Sequence, residues 1–185
     1  MKRTNKILLL SIGMLVFFIS YALDQQISLI FKSDQSKFLS LIFGIITNFG
    51  VVLVVFLLIP LILLYKKKRL PYLLLIAFLA SFLLAFIAKL IVLRQRPANI
   101  LVYPLINIIN YSFPSMHAAV AFSLLPALVK FLPKQKYFWI VFAFLAAFSR
   151  IYFGFHFLSD VVFGALFGYF IGLFVLEYYE KNANK

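Results

Sequence analysis

Both histidines of this 185-residue chain fall in short polar stretches set among apolar runs. His117 ends PSMH (114–117), and His156 sits in SRIYFGFHFLSD (149–160) with Arg150 and Asp160, one of only 5 acidic residues. A third stretch, KLIVLRQRP (89–97), carries Lys89, Arg94 and Arg96. Asp160 follows His156 by four positions, so on a helix the two would be neighbours on one face. A carboxylate on one ring nitrogen fixes the tautomer and leaves the other nitrogen free as nucleophile or base. Gly154, between Arg150 and His156, lets the backbone turn or approach closely.

Lys89 and Arg96 lie nearly two helical turns apart, which predicts a shared helix face. Pro97 disfavours helix at the residue before it, so Arg96 is expected at the helix end. Arg94 reads as a basic residue that snorkels to headgroups. Lys89 is deeper, where a charge costs about 2.5–3.5 kcal/mol at a helix centre, so it should have a functional partner. Ser115, after Pro114 and before an apolar run, has the signature of a helix N-cap, and the free amides there suit an anion. His117 falls in that first turn. Convergence of Lys89, Arg96 and Arg150 requires a multiply charged anion, and phosphate matches the paired donors of arginine. A nucleophilic histidine beside that pocket, with a second histidine to protonate a leaving oxygen, amounts to phosphoryl transfer. No acidic cluster is available for Mg²⁺, so the cations themselves must stabilise the transition state, and neither metal nor cofactor is expected.

At these residues the sequence resembles the phosphatidic acid phosphatase type 2 superfamily, the integral-membrane lipid phosphatases related to vanadium haloperoxidases. The family pattern is Lys-x6-Arg-Pro, then Pro-Ser-Gly-His, then Ser-Arg-x5-His-x3-Asp. Lys89, Arg96 and Pro97 fit the first, and Ser149, Arg150, His156 and Asp160 fit the third. The second departs once, with Met116 in place of glycine. The resemblance implies that His156 becomes phosphohistidine and that Asp160 orients it. It implies that His117 protonates the leaving lipid oxygen and then activates water. Lys89, Arg96, Arg150, Ser115 and the amide of Met116 would hold the phosphoryl oxygens. Only the backbone of residue 116 is required, so methionine is compatible if its φ is negative, and its side chain would narrow the pocket.

The elements that must position these residues are membrane helices. With 65% hydrophobic and 12% charged residues, a soluble fold could not hide the apolar surface. Six apolar runs predict an all-α bundle of six transmembrane helices in one domain (1–185), near 7–23, 39–65, 70–93, 115–132, 137–153 and 158–179. The first run resembles a signal peptide, but its length favours a retained helix. The segment from Asp24 to Lys37 reads as a neutral loop lying along the interface. Thr47 and Asn48, within the second run, are expected to make packing hydrogen bonds. The chain has no cysteine, which excludes disulfides and Cys-based metal sites.

A net charge of +13 does not indicate nucleic acid here, because the basic residues sit in short tails and loops between apolar runs. Lys2, Arg3, Lys6, Lys66, Lys67, Lys68, Arg69, Lys130, Lys134, Lys136, Lys181 and Lys185, twelve of the 18, fall on one side of a six-helix bundle. That side is cytoplasmic by the positive-inside rule, so both termini face the cytoplasm and the polar stretches open outward at the plasma membrane surface. The expected partner is a lipid phosphate. The loop 94–113 is largely apolar, which suits a lipid with a terminal phosphate or diphosphate that keeps its tail in the bilayer. The family's role in recycling cell-wall carrier lipid implies a polyisoprenyl diphosphate such as undecaprenyl diphosphate ahead of phosphatidylglycerol phosphate or phosphatidate. Two other readings fit the same residues: a lipid-to-lipid phosphotransferase, and a non-catalytic transporter in which the polar set is an ion path.

Overall fold

A computed structural model describes residues 3–33, 36–66, 69–97 and 110–183. Most of the loop 94–113 therefore lies outside the described residues, as do Lys2, Lys67, Lys68 and Lys185. The described residues are mostly helical, with no strand among them. In chain order the helices are α1 (Arg3–Ser33), α2 (Lys37–Ile46), α3 (Phe49–Leu53), a π-helical turn (Val54–Leu58) and α4 (Ile59–Leu64). After these come α5 (Leu70–Val92), α6 (Met116–Phe131), α7 (Lys136–Tyr152) and α8 (Leu158–Ala183). Among the described residues, α1, α5 and α8 are long and apolar enough to cross a membrane, and α2 with the bent segment after it makes a fourth.

Three boundaries differ from expectation, each for a local reason. The run 39–65 is not one helix: it bends by 52° at Thr47–Asn48. Asn48 starts the second piece by accepting the amide of Gly50 at 2.8 Å, an N-cap inside an apolar run. The π-helical turn lies just before Pro60, which has no N–H to offer the carbonyl of Phe56, and the chain widens there.

The segment after Asp24 is also not an interfacial loop, because α1 continues to Ser33. Asp24 is buried, and Ile27 and Phe31, one and two turns further on, pack on the cluster of Ala118, Ala147, Ile151 and Val161. The third difference is at α5, which stops at Val92. Leu93 then adopts φ 51°, the only non-glycine with positive φ among the described residues. A left-handed residue turns the chain sharply, so Arg94 and Arg96 leave the helix axis.

The most extensive helix contact is α6 on α8. Gly164, Gly168 and Gly172 form a stripe on α8 that lies against the backbone of Ser115, Ala119 and Ser123 on α6. A methyl group at Gly168 or Gly172 would overlap the carbonyl oxygens of Ala119 and Ser123, so close approach requires glycine there. Away from the polar stretches the bundle closes on an apolar core that includes Val52, Phe56, Leu74, Leu124, Leu128 and Trp139.

Candidate active site

The glycine stripe brings the start of α6 against the start of α8, and there the amide of Ser115 donates to the carbonyl of Asp160 at 3.1 Å. PSMH and the His156–Asp160 stretch thus share one backbone hydrogen bond. Ser115 occupies the N-cap position as expected, but its hydroxyl makes no capping bond. Its Oγ is buried with no hydrogen-bond partner among the described residues. A buried hydroxyl without an acceptor is costly unless a ligand supplies one. Met116 is the first residue of α6 and has no positive φ, so the backbone requirement at this position is met.

Between α7 and α8 the chain folds back on itself. Gly154 takes φ 65°, and the amides of Phe155 and His156 both donate to the carbonyl of Arg150, at 3.0 and 3.2 Å. One residue therefore fixes the His156 backbone while its guanidinium lines the same cavity as the His156 ring. The Arg150 side chain stacks on Phe155 at 4.4 Å and donates from Nη1 to Thr47 Oγ1 at 2.5 Å. The break between α2 and α3 thus serves the site: Thr47 holds Arg150, and its backbone also hydrogen-bonds His117.

Arg96 is brought in by the turn at Leu93, not by a helix face shared with Lys89. Its Nε donates to the Asn110 carbonyl at 2.7 Å and its Nη1 to the Phe155 carbonyl at 2.8 Å. Lys89, fully buried on α5, donates to the Tyr111 carbonyl. These bonds leave the cations at one cavity of about 490 Å³, lined by Lys89, Arg96, Arg150, Met116, His117 and His156. The rest of its lining is apolar, made by Phe49, Phe82, Leu83 and Phe86. His117 packs edge-on against Phe49 at 4.9 Å, and its Nε2 has no hydrogen-bond partner among the described residues. Burial, then Arg96, Arg150, Lys89 and His117, hold the His156 imidazole well below its usual pKa, so it is neutral near pH 7.

Asp160 is fully buried behind His156. Its Oδ2 accepts the Phe157 amide at 2.8 Å and the Ser112 hydroxyl, and its Oδ1 accepts Arg94 Nη1 at 2.7 Å. Arg94 is thus no snorkelling residue: its Nη2 reaches Asp24 at 2.7 Å, and its guanidinium lies 4.1 Å from the Phe157 ring centre. Burial opposes its charge, but Asp160 and Asp24 overcome that and push its pKa up. Sequence reasoning missed Asp24 and Ser112 here and misread Arg94. An aspartate inside an apolar helix was the available signal, since such a group needs a partner.

The PAP2 superfamily model matches residues 69–184, which is more than half of the chain. The chain belongs to the PAP2 superfamily. Two solved structures are similar over most of its length. A PAP2-type phosphatidylglycerolphosphate phosphatase from Bacillus subtilis superposes with TM-score 0.69 at 26% identity, covering 91% of this chain and 94% of that one. Aquifex aeolicus LpxE gives TM-score 0.68 at 29% identity, covering 84% of this chain and 96% of that one. Among curated proteins, the bacitracin transport permease protein BcrC of Bacillus licheniformis is 42% identical over 67 residues, 36% of this chain. That match spans about a third (33%) of the relative's own length. The PAP2 match begins at Arg69, so α1 and the broken α2–α4 segment lie outside it, although Asp24 bonds Arg94 and Thr47 bonds Arg150.

Proposed function

We propose that the chain is a membrane lipid phosphatase that hydrolyses the terminal phosphate of a lipid phosphate or lipid diphosphate through a phosphohistidine on His156. The observation that carries this reading is the single cavity where three cations and two histidines face an apolar wall. Lys89, Arg96 and Arg150 neutralise the phosphoryl oxygens, and the free Ser115 hydroxyl and the Met116 amide complete the cradle. His156 Nε2 attacks the terminal phosphorus, and the bond from that phosphorus to the leaving oxygen, that of the lipid alcohol or, in a diphosphate, of the lipid monophosphate, breaks as His117 protonates it. His117 then takes a proton from water, which attacks phosphorus and returns the P–N electron pair to His156. Among the described residues no carboxylate lines the cavity, so the reaction needs no divalent metal, and vanadate, which resembles the trigonal-bipyramidal transition state, inhibits it.

The membrane reading rests on the apolar spans, completed by α6 and α7 as shorter fifth and sixth crossings of a single domain over 1–185. The distribution of loop charge supports a topology with both termini in the cytoplasm and the cavity at the outer surface of the plasma membrane. For substrate we favour a polyisoprenyl diphosphate: the wall of Phe49, Phe82, Leu83 and Phe86 offers one apolar seat, which suits a single tail better than two acyl chains. The near full-length similarity to a phosphatidylglycerolphosphate phosphatase supports that glycerolipid as the second reading. Phosphate release by the purified chain in EDTA, on C55 isoprenyl diphosphate, phosphatidylglycerol phosphate and phosphatidate, tests both levels. No release from any lipid would overturn the activity. A tenfold higher kcat/KM on a glycerolipid, about 1.4 kcal/mol, would overturn the substrate alone.

A further inference from the structure

Asp24 lies on α1, far from the cavity in sequence and outside the residues that match the family. Even so, its carboxylate is buried and fully engaged. Oδ1 accepts the Ser159 amide at 2.9 Å, and Oδ2 accepts the Ser159 hydroxyl at 2.5 Å and Arg94 Nη2 at 2.7 Å. Arg94 Nη1 in turn reaches Ser159 Oγ and Asp160 Oδ1, each at 2.7 Å. Asp24 and Asp160 thus divide one guanidinium between them, and a membrane helix is pinned to the residue behind His156.

We propose that Asp24 is a positioning residue for the reaction, acting through Arg94 on Asp160. The inference rests on the reading of His156 as nucleophile. The physical reason is the geometry of the fork. With Nη2 occupied by Asp24, Arg94 can give Asp160 only Nη1, on Oδ1. The other oxygen, Oδ2, is then left to Ser112, to the Phe157 amide and to His156, whose Nδ1 stands 3.9 Å away. Without Asp24, Arg94 is free to take both oxygens of Asp160 in the bidentate pairing that arginine favours, drawing Oδ2 away from the imidazole. Asp24 touches neither the cavity nor the reacting atoms, so its removal should slow the chemical step and leave substrate affinity alone.

The test is a double-mutant cycle on the purified full chain, using the lipid phosphate that gives the highest turnover. Asp24→Ala should lower kcat by roughly 10- to 100-fold with KM within about twofold of the parent. In an Asp160→Asn background the same change should cost less than about threefold, because the route it acts through is already broken. A purely structural α1 contact would lower kcat by the same factor in both backgrounds. That additive result, a loss confined to KM, or parental kcat in Asp24→Ala would each overturn the inference. If Asp24→Ala does not fold, Asp24→Asn, which keeps an acceptor for the Ser159 amide, carries the same cycle. A His156→Ala control separates the two levels. Full activity in that variant strikes the nucleophile assignment itself, whereas its loss beside an unaffected Asp24→Ala strikes only the role of Asp24.

Discussion

Asp160 Oδ2 stands 3.9 Å from His156 Nδ1, beyond hydrogen-bond distance, while both oxygens of the carboxylate are engaged elsewhere. The pair is therefore apposed but not bonded when the imidazole is neutral. Attack by Nε2 would leave the ring cationic, and the proton on Nδ1 would then meet a fixed carboxylate about 1 Å from bonding distance. On the proposed mechanism, Asp160 would in this arrangement stabilise the intermediate more than it prepares the resting nucleophile. Asp160→Asn should accordingly lower kcat by about 10²-fold and barely change KM, as steady-state kinetics on a lipid phosphate would show. An unchanged kcat would remove Asp160 from the chemistry.

The neutral state of His156 has a consequence for pH. Its pKa is depressed by burial and by Arg96, Arg150, Lys89 and His117. The unprotonated form that the proposed nucleophile requires therefore persists as pH falls through the ordinary histidine range and is lost only below it. In a kcat/KM profile, the acidic limb set by His156 should lie below the usual value of about 6.5. A limb with its midpoint at or above 6.5 would contradict the cationic surroundings assigned to the ring.

Helix packing carries its own prediction. A methyl group at Gly168 would overlap the Ala119 carbonyl, whereas one at Gly44 would meet nothing within 4 Å. Gly168→Ala should destabilise the chain by about 2 kcal/mol through overpacking, with a lower thermal midpoint in detergent and reduced turnover as α6 shifts. Gly44→Ala should be neutral or slightly stabilising, since alanine favours helix. Equal midpoints for the two variants would argue against tight α6–α8 contact.

Much of the cavity was legible in the sequence because reactive residue types are rare in so apolar a chain. Lys89, Arg96, His117, Arg150 and His156 stood out by type and spacing, and all of them line it. The partners that hold them were harder to see. Arg94 and Asp24 are 70 positions apart, and no periodicity links them, so a charge at a helix end looked like a headgroup contact. Thr47 and Asn48 looked like polar residues inside a continuous span, because an apolar run on both sides conceals a break made by one N-cap. The extension of α1 was hidden for the opposite reason: DQQISLIFKS looks polar until Asp24 is paired with the half-buried Arg94. Helix identity followed from composition, but helix ends depended on contacts between segments distant in the chain.

The most direct test of the central claim is trapping of the covalent intermediate. Purified chain, mixed rapidly with a lipid phosphate labelled in its terminal phosphorus and quenched in alkali, should carry one acid-labile, base-stable phosphoryl group on the peptide containing His156. The His156→Ala variant should fold, carry no label and lose on the order of 10⁴-fold in kcat. Label retained in His156→Ala, or turnover undiminished without it, would contradict the account.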